Sequence, residues 1–157
     1  MAAIKRSADV VWEGTIARGG GRLSGGSGAF AAFPVTAASR FGEPQGKTTP
    51  EELIAAAHAT CFTMALGSIL AGEHTPPERL AVNAVVTLEE VEGKYTITTS
   101  ELEVVGRVAG IDETAFERAA REAEQSCPVS RALAGSVEIR SHGRLEDSRP
   151  PAGVSGR

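Results

Sequence analysis

The stretch Thr49-Pro-Glu-Glu-Leu-Ile-Ala-Ala-Ala-His-Ala-Thr-Cys-Phe-Thr-Met-Ala-Leu66 decides how this chain is read. Its beginning is marked as a helix start. Thr49 can cap, Pro50 suits the first helical position, and Glu52 completes Thr-x-x-Glu, a capping box. From Leu53 to Gly72 there is no formal charge, over a length close to the ~20 residues that a membrane-spanning helix needs. His58, Thr60, Thr63, Ser68 and many small alanines and glycines make the run weak for lipid insertion. The same small residues let other elements pack close. We read it as a long, buried central helix of a soluble core, with no membrane partner.

The rest of the chain arranges itself around that helix. Val10 to Ala17 is rich in β-branched residues and reads as a strand. Gly19-Gly-Gly-Arg-Leu-Ser-Gly-Gly-Ser-Gly28 reads as turn chemistry, leading to a second short strand near Ala29 to Val35. Arg79 to Val91 and Tyr95 to Val105 flank Glu92-Gly93-Lys94 and predict a long hairpin. Asp112 to Ser126 is amphipathic, with Asp112 as its cap. Cys127 falls at a break between two helical segments, and Ser136 to Ser141 begins a last strand. Strands, helix, hairpin, helix, strand give an α+β fold with a largely antiparallel sheet. Residues 1–146 are expected to form a single domain. The Pro/Gly/Ser-rich residues 147–157 read as a disordered tail.

Composition narrows the function classes. A chain of 157 residues with 41% hydrophobic content can bury a real core. With 16 basic and 20 acidic residues the net charge is −4, so no basic footprint points to nucleic acid. The first ten residues lack the apolar segment of a secretory signal. A cytoplasmic, reducing setting is expected, where a persistent structural disulfide is disfavoured. Gly46-Lys47-Thr48 imitates the end of a phosphate-binding loop, but the required glycine is Phe41, with Gly42 one residue out of register. The glycine-rich run does not give GxGxxG. His58, His74 and His142 have no paired metal spacing. Neither a metal nor an organic cofactor is expected.

The chemistry rests on two cysteines 66 residues apart. That spacing excludes a CxxC redox or zinc pattern. It leaves a structural disulfide, two inert thiols, or a nucleophile with its resolving partner. Cys61 lies about three turns into the helix, beyond the terminal turn where a helix dipole lowers a thiol pKa. A reactive Cys61 therefore demands a cation from elsewhere. Arg40, in Ser39-Arg-Phe-Gly-Glu-Pro44, is the first candidate and Arg18 the second, since arginine stays charged when desolvated. Glu52 is used by the capping box, which leaves Glu51 for another role. Ten residues of straight helix put Glu51 ~15 Å from Cys61. If both serve one reaction, a two-fold dimer is the simplest way to bring them together.

The segment Thr49–Leu66 and Ser126-Cys-Pro-Val-Ser130 resemble the two cysteine motifs of the OsmC/Ohr family, the osmotically inducible and organic-hydroperoxide-resistance proteins. Trp12-Glu-Gly14, Ser39-Arg-Phe-Gly42 and Val108-Ala-Gly-Ile-Asp112 extend the likeness over nearly all of residues 8–141, closer to the OsmC branch. The resemblance implies a thiol peroxidase that prefers organic hydroperoxides, built as an intertwined homodimer. It implies Cys61 as the peroxidatic and Cys127 as the resolving cysteine, and Glu51 as the catalytic glutamate. Arg40 matches the catalytic arginine of the OsmC pattern, whereas Ohr takes it from the loop corresponding to Arg18. The implied reductant is a dithiol, often lipoyl-linked in Ohr. Two other classes compete: a cysteine hydrolase or acyl-transfer enzyme using Cys61 with His58 three residues before it, and a non-catalytic protein that binds apolar ligands.

Overall fold

The structure, a computed structural model, describes residues 2–146; the tail expected at 147–157 lies outside the described residues. The chain falls into two compact units that divide between Leu53 and Ile54.

The first unit is a three-stranded antiparallel sheet, β1 (Ala8–Glu13), β2 (Gly20–Gly25) and β3 (Phe33–Val35), in the order β1-β2-β3. The glycine-rich run expected as a turn is largely strand β2. Gly21 is opposite both Trp12 and Val35. A Cβ there would meet the Val35 side chain at 2.7 Å and the indole at 2.9 Å, so this glycine serves close packing within a strand. The expected second strand shrinks to its last three residues. It is followed by an unforeseen short helix, α1 (Ala37–Phe41). Thr36 caps that helix reciprocally with Ser39, whose amide donates to the Thr36 hydroxyl at 3.0 Å.

The helix α2 (Pro50–Gly72) runs unbroken for 23 residues. The Glu52 amide donates to Thr49 Oγ1 at 3.1 Å, as the capping motif requires. At its far end His74 takes the left-handed conformation (φ 63°) and the Thr75 amide returns to the Leu70 carbonyl. By length and composition alone α2 could cross a membrane. In the second unit, however, it contributes a stripe at four-residue spacing, His58, Phe62, Leu66 and Leu70, that is buried in a protein core.

That second unit carries a sheet of order β4-β5-β6, built from β4 (Arg79–Val91), β5 (Lys94–Arg107) and β6 (Glu138–Leu145). The predicted hairpin is present, closed by Glu92 and Gly93, both at positive φ (50° and 75°). Such a pair matches the twist of a two-residue hairpin. β6 adds in parallel to β5. Helix α3 (Glu113–Ser126) is capped by Asp112, whose carboxylate accepts from the Ala115 amide at 2.8 Å. It buries Phe116, Ala119, Ala120 and Ala123, one face at helical spacing. The chain then breaks at Cys127 and enters α4 (Pro128–Leu133).

Candidate functional site

Cys61 and Cys127 lie near each other within the second unit, both as free thiols. Cys61 is half-buried on α2, and Cys127 is fully buried at the junction of α3 and α4. Local sequence explains the junction. Pro128 has no N–H for α3 to use and has the right φ for a first helical position, so it ends one helix and starts the next at Cys127.

The two thiols ionise unequally. Burial pushes Cys61 above its ordinary value and the Cys127 thiol adds to the rise, with a partial offset from the Val129 backbone. Burial also acts most strongly on Cys127. There the Ser130 backbone and hydroxyl, the Cys61 thiol and the Val129 backbone together outweigh it, and the thiol is held below its ordinary value. In the single chain Cys127 is the thiol that ionises more readily.

Beside this pair lies His58, the histidine without metal spacing that a cysteine hydrolase would couple to Cys61. His58 is completely buried, with Nδ1 at 2.7 Å from Ser100 Oγ and Nε2 at 2.8 Å from Ser130 Oγ. Ser100 and Ser130 are buried as well. Burial lowers the His58 pKa, and Glu124 partly restores it, so the ring is neutral near physiological pH. Both ring nitrogens are taken by serine hydroxyls, so the Cys61–His58 couple that a hydrolase would use is not formed. The four-residue stripe on α2 marks His58 as inward-facing. Its serine partners lie 42 and 72 residues away, beyond what spacing reveals.

The first unit holds the other two predicted residues, and it brings them together. Arg40, in the last turn of α1, donates through Nη2 to Glu51 Oε1 at 2.8 Å and through Nε to the same oxygen at 3.1 Å. Glu51 is buried while Glu52, at the capping position, faces solvent. The Arg40 guanidinium lies 5.6 Å from the centroid of the Phe41 ring. Arg40 also lines an open cavity of about 480 Å³ with Trp12, Leu23, Val35, Phe41 and Leu53, a mostly apolar wall with one charged group. Arg18 is exposed and forms no ion pair among the described residues. No cluster of three or more metal-ligating side chains occurs among the described residues.

Residues 42–142 match the model of the OsmC-like protein family. The peroxiredoxin OsmC of Escherichia coli is 37% identical over 136 residues, covering 87% of this chain and 94% of the relative. An organic hydroperoxide resistance protein of Xanthomonas axonopodis is 29% identical over 93 residues, covering 59% of this chain and 63% of its own length. Among solved structures, an organic hydroperoxide resistance protein OsmC from Legionella pneumophila superposes with a TM-score of 0.73. The alignment covers 91% of this chain and 98% of that one, at 22% identity.

Proposed function

The chain belongs to the OsmC-like protein family, and on that premise we propose that it is a thiol peroxidase acting on organic hydroperoxides and, less efficiently, on hydrogen peroxide. The observation that carries the reading is the pair of free thiols, Cys61 and Cys127, close together in one unit. The Cys61 thiolate attacks the terminal oxygen of the peroxide. An S–O bond forms, the O–O bond breaks, and the departing alkoxide takes up a proton to leave as the alcohol. Cys127 then attacks the Cys61 sulfenic acid, forming the disulfide and releasing water. A dithiol reductant returns both thiols, which fits a protein of the reducing cytoplasm.

Because burial raises Cys61, the first step needs a cation. Arg40 fills that role, held by Glu51, and its guanidinium also stabilises the charge developing on the peroxide oxygens. The apolar cavity beside Arg40 suits the organic half of the substrate. We assign the assembly as a homodimer. On α2 the residues Thr60, Met64, Ser68 and Ala71 form an exposed stripe opposite the buried one, and Met64 is 64% exposed. A second copy of this small-residue face would cover it and place Glu51 and Arg40 of one chain at Cys61 of the other.

The test is a thiol count against peroxide consumed. Cys61→Ser abolishes turnover of cumene hydroperoxide. Cys127→Ser still consumes about one equivalent and leaves a trappable sulfenic acid. A Cys127→Ser protein that fails at the first oxidation, while Cys61→Ser reacts normally, reverses the assignment.

A further inference from the structure

The mechanism above uses both thiols but gives no part to the buried chain Ser100–His58–Ser130. Three polar side chains within an apolar core are a costly feature unless every hydrogen bond is made. Here the ring nitrogens are satisfied at 2.7 and 2.8 Å, and the chain ends beside Cys127. Ser130 lies three residues after Cys127, in the first turn of α4, and the Arg131 amide closes that turn on the Cys127 carbonyl at 3.0 Å.

A hydroxyl carries a single hydrogen, and its direction is fixed by its neighbours. If His58 Nε2 accepted from Ser130, that hydrogen would point away from the sulfur. If Nε2 carries the proton and donates to Ser130 Oγ, the hydroxyl hydrogen is left for Cys127. Nδ1 then accepts from Ser100. The two ring bonds then run in one direction and leave the Ser130 hydroxyl hydrogen for the sulfur, the orientation that favours a thiolate.

We propose that His58, as the neutral Nε2–H tautomer held by Ser100, is a positioning residue that aims the Ser130 hydroxyl at Cys127 and so prepares Cys127 as the resolving nucleophile. The inference rests on the peroxidase reading. In the resolving step a bond forms between the Cys127 and Cys61 sulfurs and the S–O bond of the sulfenic acid breaks. The leaving hydroxide combines with the proton released by Cys127 as water. No further reagent is consumed, and His58 stays neutral throughout. The lowered pKa of Cys127 and the neutrality of His58 agree with this arrangement. The groups that act on these residues are Cys61 of α2, Glu124 of α3, and the Ser130 and Val129 groups of α4.

Single-turnover oxidation with one equivalent of cumene hydroperoxide separates the two steps. Sulfenic acid at Cys61 is followed first, and disulfide formation second, across pH 5–9. In Ser130→Ala the pH profile of the second step shifts upward, and near neutral pH that step slows about tenfold, as loss of a hydrogen bond to a charged group implies. His58→Leu has the same effect. His58→Gln, whose amide can donate to Ser130 and accept from Ser100, recovers part of the rate. A structural role alone would slow the step with no change in its pH profile. Ring ¹⁵N spectra of the wild-type protein supply a check that needs no variant: they show Nε2 protonated and Nδ1 bare. Finding the Nδ1–H tautomer, or an unshifted second-step profile in both Ser130→Ala and His58→Leu, overturns the inference. A wild-type protein that neither consumes the peroxide nor loses thiols would instead overturn the peroxidase reading itself.

Discussion

Burial acts on Cys61 and Cys127 in the same direction, yet their neighbours send them opposite ways. Cys61 lies mid-helix, beyond the reach of its own helix N-terminus, and the Val129 backbone offsets only part of its rise, so a reactive Cys61 calls for a cation brought to it. That dependence sets a test in a Cys127→Ser background, where Cys61 alone reports. Alkylation by iodoacetamide follows the thiolate fraction, and removing a cation raises the thiol pKa. Arg40→Ala therefore slows alkylation near neutral pH and moves its profile upward, by more than Arg18→Ala does. A large shift in Arg18→Ala with none in Arg40→Ala transfers the role to Arg18. Much at this scale was legible in the residues. The capping box separated Glu52 from Glu51, and the loop sequence singled out Arg40, which is found paired with Glu51. The serine partners of His58 were not legible, because they come from β5 and α4 and meet only in the folded core.

At the scale of elements, local chemistry was readable where turn and cap residues dictate it. Glu92-Gly93 closes a hairpin because both positions need positive φ, and Asp112 starts α3 because its carboxylate answers an orphan amide. The run Gly19–Gly28 misled because glycine serves two purposes, turning and thinness, and composition cannot separate them. In β2 thinness wins at Gly21. α1 was missed although Thr36-Ala-Ala-Ser39 carries its reciprocal cap, since five residues are too few to show a helical period. Thinness also decides how α3 meets its sheet. A Cβ on Gly106 of β5 would come within 2.4 Å of the Phe116 ring, and one on Gly143 of β6 within 3.3 Å. Phe116 is completely buried and cannot swing aside. Gly106→Ala should therefore destabilise by about 1–3 kcal/mol, the range of core overpacking, although alanine in an open strand position would normally be favoured over glycine. Urea denaturation measures it. A midpoint at or above the wild-type value would show that α3 does not seat on this glycine as described.

For the whole molecule, the governing feature is a helix that is apolar on every side. A surface helix of a single-chain protein divides into an apolar and a polar face. α2 has no such division: His58, Phe62, Leu66 and Leu70 are buried, while the stripe through Thr60, Met64 and Ser68 is equally uncharged and open. A second copy seated on that stripe removes it from water, and two-fold symmetry makes the same face available on both partners. The helix also sets a distance. It is unbroken between Glu51 and Cys61, so the two are separated by ~15 Å of rise along the helix. On the proposed homodimer, Glu51 and Arg40 of one chain would serve Cys61 of the other. Mixing inactive Glu51→Ala chains with inactive Cys61→Ser chains, under conditions of subunit exchange, then restores part of the activity. Each mixed dimer holds one site with every wild-type residue. Full activity in a protein that sediments as a monomer would refute the shared site. Subunits that exchange without any recovery would place both residues in one chain and require α2 to bend in solution.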